Sequence, residues 1–384
     1  MALLFSIMSS FWLSGMIGLN AEYFRLLLIG LFFIILVSIF FMKLSSLNLA
    51  LESFGILIIA VMSFLIFPIS TVMSFLRLSC YMMLYVLISN KALNFNVPYV
   101  VKIAAFLAIF AFGIQFLFSD YQYLNGFKRY SGLYYMHSAG FALLSQLLVF
   151  EYYLMSFSGK NHYGSVIRKT FVLILLMVCL FMTGSRSSTI ITFCGLVYLN
   201  FRKNMLRKVL GIFGILCLGI WLFPIIENSS YFYRINTLFS RGLVDASSQN
   251  RLSFLENGFG LVESEYMLFG YGVGRFDDLY VAEFGERLAA HFYPLQWFVE
   301  GGIVYVILWL TFYFRLLISV SHSRRILGLL FLIVASINNG EYYFSVYILF
   351  LLIMLNNGGT DESHNSRNRL RGLGNGSMSV RRGY

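Results

Sequence analysis

Apolar stretches of bilayer-spanning length recur along this chain, at about 1–19, 24–42, 49–69, 71–89, 98–118, 132–157, 170–183, 188–201, 208–226, 292–318, 326–337 and 343–355. A helix needs roughly twenty apolar residues to cross a hydrocarbon layer about 30 Å thick. Hydrocarbon offers no partner to backbone N–H and C=O groups, so a segment crossing it as a single stretch must bond them within itself, as a helix does. The pattern therefore predicts an all-α, polytopic membrane protein with about twelve transmembrane helices. Several of the later stretches fall short of twenty residues and are read as tilted, broken or extended by polar flanks. Composition agrees. Of 384 residues, 59% are hydrophobic and 12% charged, with a mean hydropathy of +0.77, too little charge to clothe a soluble core. One transmembrane domain over 1–355 is expected. It includes a long polar loop at 227–291, and a basic tail at 356–384 rich in Asn, Gly, Ser and Arg is predicted to be disordered.

The positions of the charges predict the orientation. Lys43, Lys91, the Lys160/Arg168/Lys169 group, the Arg202–Lys208 cluster and Arg324/Arg325 occupy alternate connections, and the tail adds five arginines. With twelve spans these fall on one side, and the 227–291 loop, acidic on balance, falls on the other. Cytoplasmic loops carry the excess of Lys and Arg, so both termini are expected in the cytoplasm and the loop in the periplasm of a multi-pass inner-membrane protein. The net charge of +11 then faces anionic lipid, and no solvated basic face remains for nucleic acid. Cys80, Cys179, Cys194 and Cys217 all lie in apolar stretches and are expected as buried fillers. Met1 to Leu19 lacks a basic leader and a small-residue cleavage site, and is expected to be a retained first helix.

Cations on the opposite side have no topological reason to be there. Arg129 ends the loop before the sixth stretch, Arg186 sits in Thr183-Gly-Ser-Arg-Ser-Ser188, Arg251 lies in the long loop, and His291 stands where that loop re-enters the membrane. Arg186 set among Gly and hydroxyl residues suits a shaped hydrogen-bonding site, against the alternative of a helix end snorkelling to headgroups. Arg251 has Glu256 nearby as a simple ionic partner, and His291 could be an interfacial anchor. A weak helical pattern runs from Arg251 through Leu255, Phe259 and Val262, followed by a turn at Gly270-Tyr-Gly-Val-Gly274. That turn lacks the Thr-Val of a potassium filter and the strand–helix setting of a dinucleotide fingerprint. Asp277-Asp278 is a weak metal-ligand set, and Glu22 is read as surface. Arg77 and Glu52, inside apolar stretches, best suit a transporter, although snorkelling or mutual pairing accounts for them equally.

Four segments, in order, carry a family resemblance: Arg129-Tyr-Ser-Gly-Leu133, Thr183-Gly-Ser-Arg-Ser-Ser188, Arg251 with Gly270-Tyr-Gly-Val-Gly274, and His291 with Leu295, Gln296, Glu300 and Gly302. Together they resemble the O-antigen polymerase and O-antigen ligase family over about 129–318. Two positions depart from the family pattern: Phe292 stands where an Asn usually follows the histidine, and His137-Ser-Ala stands where a His-Pro-Asn-like stretch is common. The resemblance implies inverting glycosyl transfer, without metal or cofactor, from an undecaprenyl-pyrophosphate-linked oligosaccharide at the periplasmic face. Arg186 and Arg251 would be catalytic through the leaving pyrophosphate, with Arg129 as a further substrate-binding residue and His291 as the catalytic base. Guanidinium forks suit phosphate oxygens, and imidazole suits proton removal near neutral pH. The wealth of Phe and Tyr favours the polymerase branch by family habit. Transfer to lipid A-core by a ligase is the alternative, and a lipid-linked-oligosaccharide flippase is the rival from another class. Membrane lipid and a chain-length regulator protein are the further partners expected.

Overall fold

The computed structural model describes residues 51–89, 96–119, 122–124, 127–132, 138–157, 163–201, 246–285, 292–338 and 344–355. The stretches expected as spans at 1–19, 24–42 and 208–226, the tail 356–384 and His291 lie outside them. Among the described residues the chain is helical: α1 (Leu51–Ile66), α2 (Pro68–Ser89), α3 (Val97–Leu117), α4 (Ser138–Phe157), α5 (Tyr163–Met182), α6 (Arg186–Phe201), α7 (Ala246–Gly260), α8 (Phe276–Phe284), α9 (Tyr293–Ile318), α10 (His322–Ile337) and α11 (Phe344–Leu355). The departure from an all-α reading is one short antiparallel ladder, β1 (Gln122–Leu124) with β2 (Phe127–Arg129). It stands between α3 and α4, where the chain must reverse.

Three helices contain stretches long and apolar enough to cross a membrane: Val97–Leu117, Ser138–Met155 and Tyr293–Ile318. Shorter apolar helices accompany them. The third is not a straight rod. Gly302 has φ 68° and ψ −171° inside α9. Trp297 and Trp309 would be about 18 Å apart along a straight helix, yet their rings stack with centroids 5.3 Å apart. The helix folds sharply at Gly302, and Ile303–Ile318 is its straight apolar limb.

Antiparallel packing sorts the helix ends. α1 lies along α9, with Glu52 bonded to Arg315 at one end (3.0 Å), Gly55 against Leu308 midway and Ser63, whose hydroxyl donates to the Ile59 carbonyl (2.8 Å), accepting from the Val273 N–H at the other (2.9 Å). The chain turns back at Phe67–Pro68, which stacks Phe64 on Phe75 at 4.9 Å. Glu151 of α4 pairs with Arg324 at the start of α10 (2.6 Å), whereas the C-cap residue of α10, Asn338, reaches Ser187 in the first turn of α6 (3.0 Å). The hairpin before α4, the α5–α6 connection and the 262–276 segment therefore share one end of the bundle, and the two ion pairs share the opposite end. Between them lies an aromatic core in which Trp309 packs on Tyr313, Tyr347 on Tyr81, and the Tyr347 hydroxyl donates to that of Tyr313 at 2.6 Å.

Glu52 thus pairs with Arg315, rather than snorkelling or pairing with Arg77, the two structural alternatives to a transport role. A residue far along the chain is brought alongside by the α1–α9 packing. Glu151 is buried and its partner Arg324 is 22% exposed along its side chain. Removing one member of such a pair strands the other in an apolar setting. Arg324→Leu is therefore expected to lower stability by about 2–3 kcal/mol, below the fully buried range because Arg324 is partly hydrated. Thermal unfolding in detergent should show that shift, with most of it recovered in the Glu151→Gln/Arg324→Leu double variant.

Candidate functional site

The Arg129 segment is held from behind. Tyr130 is buried against Phe112 and Phe116 of α3, with centroids at 5.4 and 6.0 Å. Gln115, a buried amide in the last turns of α3, accepts from the Gly132 N–H (2.7 Å) and donates to the Ser131 hydroxyl (3.3 Å). Gly132 has φ 54°, and a Cβ there would sit 2.4–2.5 Å from the Phe141 ring, so the sharp turn demands glycine. The Tyr130 N–H donates to the Met182 carbonyl (3.2 Å), which ties β2 to the end of α5.

This tie carries Arg129 onto the second segment. A Cβ at Gly184 would stand 3.6–3.8 Å from Cγ, Nε and Cδ of Arg129, so the arginine lies across the turn between α5 and α6. Its Nε is buried without an acceptor among the described residues. The turn is shaped by its hydroxyls. Thr183 donates to the Leu180 carbonyl (2.7 Å) and accepts from the Ser185 N–H (3.2 Å), and Ser185 donates to the Ser188 hydroxyl (2.9 Å). Gly184 takes φ 68° to make the turn. Arg186, expected within a hairpin, is the first residue of α6, so its positive charge adds to the partial charge of a helix N-terminus. Two guanidinium-bearing residues beside a helix N-terminus form a setting suited to an anion such as a pyrophosphate.

The third and fourth segments interlock. Where α9 breaks, the N–H groups of Ile303 and Val304 donate to the carbonyls of Met267 and Leu268 (2.9 and 3.4 Å). In the other direction the Tyr271 and Gly272 N–H groups donate to the carbonyls of Val299 and Glu300 (2.9 and 2.8 Å). The two backbones are so close that a Cβ at Gly270 would meet Glu300 and Gly301 backbone at 2.4–2.5 Å, and one at Gly302 would meet Leu268 backbone at 2.2 Å. The buried Glu300 carboxylate accepts from Gln296 Nε2 (2.9 Å) and from the Phe276 N–H at the start of α8 (3.4 Å), and also takes a bond from the Gly274 backbone. On the far side of the loop the Arg275 guanidinium lies 3.9 Å from the Phe67 ring centroid. Tyr271 donates its hydroxyl to the Leu261 carbonyl (2.9 Å), and desolvation pushes that phenol above its ordinary range, so it remains a donor throughout physiological pH.

Of the four residues singled out in the sequence, Arg129 and the Arg186-bearing turn are brought together. Arg251 lies in α7 as the periodicity predicts, and that helix packs on α9 through Phe254 and Leu295, with Gly258 against Leu295. The Arg251 side chain and His291 lie outside the described residues, although His291 immediately precedes Phe292, the N-cap of α9. Sequence reasoning gave Gln115, Gln296 and Glu300 no role. A single amide in an otherwise apolar span was the available signal for Gln115, and the four-residue spacing of Gln296 and Glu300 was the signal for their mutual bond. Asp277 and Asp278 are first-turn residues of α8.

Glu300→Leu is expected to release the 274–276 segment, because two backbone N–H donors and one amide lose their acceptor. Limited proteolysis of the purified protein should then cut faster between 262 and 285 than in the parent, with Glu300→Gln intermediate. Gly302→Ala should be harsher, costing about 3 kcal/mol, the upper end of overpacking costs, because the backbone it meets cannot move aside, read as loss of the folded fraction on size exclusion.

A search of curated proteins finds no match to the chain. A protein-family model described as O-antigen ligase matches residues 171–310, a stretch that begins in α5 and ends in the straight limb of α9. It takes in the Arg186 turn, Arg251, the glycine-rich turn and the break in α9. The match supports a kinship of this central part of the chain with the O-antigen ligase/polymerase family.

Proposed function

We propose that this chain is a surface-polysaccharide polymerase, an integral-membrane glycosyltransferase of the inner membrane. It joins undecaprenyl-pyrophosphate-linked oligosaccharide repeat units at the periplasmic face. The observation that carries the reading is the placement of Arg129 across the Arg186 turn, within and beside the stretch matched by the O-antigen ligase family model. In the proposed step an acceptor hydroxyl attacks the anomeric carbon of the donor. The new glycosidic C–O bond forms as the bond to the pyrophosphate breaks, and the configuration inverts. His291 takes the hydroxyl proton, and undecaprenyl pyrophosphate leaves with its charge matched by Arg186 and Arg251, with Arg129 holding the phosphate from the side. The arginines supply the positive charge and the fork geometry that phosphate oxygens require. No metal or cofactor enters this step.

Membrane vesicles or purified protein given lipid-linked repeat units, with chelator present, should lengthen them. Arg186→Ala is expected to reduce turnover by about 10²–10³-fold, as for loss of one transition-state donor. His291→Ala and Arg251→Ala should be inactive at normal membrane levels, and activity surviving in both would overturn the assignment. The family match does not separate a polymerase from a ligase, and gene deletion does. A polymerase null leaves single capped repeats on the cell surface, whereas a ligase null leaves none. Failure to lengthen any lipid-linked unit, with transport of it across the bilayer, would support a flippase instead.

A further inference from the structure

The segment Tyr266–Phe269 presents four consecutive large apolar residues, 40%, 53%, 58% and 67% exposed. In a loop bathed by water such a run is a liability. Much of its backbone is bonded within the protein. The carbonyls of Tyr266, Met267 and Leu268 accept from Gly270, Ile303 and Val304, and the N–H groups of Tyr266 and Met267 donate to Glu263 and Ser264. These bonds hold the run against the opening of the straight limb of α9 and reduce the number of backbone groups that hydrocarbon would leave without a partner.

The segment also sits at the head of a lipid-facing strip. The first limb of α9 is mostly buried from Tyr293 to Gly301, and outward exposure of large apolar side chains begins at Ile303 and continues through Ile307, Leu310 and Phe314. Met267 and Leu268 are bonded to the residues that open this strip. The straight limb Ile303–Ile318 has 16 residues and a length of about 24 Å, short of a hydrocarbon layer of about 30 Å. An apolar cap on its upper end makes up the difference. The carboxylates Glu263 and Glu265, both exposed, precede the apolar run and mark where the chain leaves the apolar region.

We infer that Tyr266–Phe269 is a membrane-immersed wedge, its side chains among lipid acyl chains at the end of the bundle that carries the glycine-rich turn. It completes the apolar thickness of α9 and pins the 262–276 segment to the bilayer. Its partner is the bilayer itself, and the inference stands apart from the reaction catalysed.

The test uses the full-length chain with its four cysteines replaced by alanine, reconstituted into phosphatidylethanolamine/phosphatidylglycerol vesicles. A nitroxide is attached at Leu268→Cys, with Ile307→Cys as the lipid-facing reference and Glu265→Cys as the aqueous one. The label at 268 is expected to be more accessible to oxygen than to a water-soluble nickel chelate, as at 307. Greater access to the chelate, as at 265, would overturn the wedge. So would protection from both reagents, which would mean that protein, including a second copy of the chain, covers the segment. Met267→Cys and Phe269→Cys give the same reading should the first variant fail to accumulate.

Discussion

The break in α9 leaves backbone groups that a continuous helix would have paired internally, and the 266–272 segment pairs them instead. Two N–H groups of the helix find carbonyls in the loop, and two carbonyls of the helix find N–H groups there. Each such group buried without a partner would cost about 1–3 kcal/mol. The loop is thus bonded into the helix at the point of fracture, and its place is set by backbone geometry more than by side-chain packing. Gly270 and Gly302 are required because the two backbones pass closer than any Cβ allows. From this junction the rest of that end follows. Glu300 is presented to the start of α8, Val273 to Ser63, and Arg275 to the ring of Phe67.

A second junction repeats the principle with a side chain. Gln115 supplies both an acceptor and a donor to the Ser131–Gly132 turn, and Tyr130 fills the space behind it. The consequence is that Arg129 faces the α5–α6 turn rather than solvent. Asn338 restrains that same turn from the side of α10. The Arg186 turn is therefore gripped by two elements distant in sequence, which is the preorganisation that an electrostatic site requires, because donors already in place need not reorganise as charge develops.

At the opposite end, acids inside apolar helices are matched by arginines near helix termini. Glu52 and Glu151 find Arg315 and Arg324. These pairs account for two of the chain's intramembrane carboxylates as structural groups, which removes Glu52 as a pointer to transport.

The helical membrane class was legible from the sequence, since hydropathy over bilayer-length windows answers directly to the cost of an unbonded backbone in hydrocarbon. So were the approximate limits of α2, α3, α10 and α11, the helical character of the chain from Arg251 to Phe259, and the order of the four motif segments. The sharp fold at Gly302 was not legible, because an apolar run of 26 residues reads as one span whatever its dihedrals. The Glu52–Arg315 pair and the Gln115 clamp were hidden for a related reason. Each joins residues whose meeting depends on how helices pack, and a one-dimensional pattern carries no distance between them. Local chemistry determined which segments are apolar enough to enter a membrane and where polar residues interrupt them; only the tertiary structure decided which of those residues face one another, because that is settled by close packing and by where broken backbone bonds find new partners.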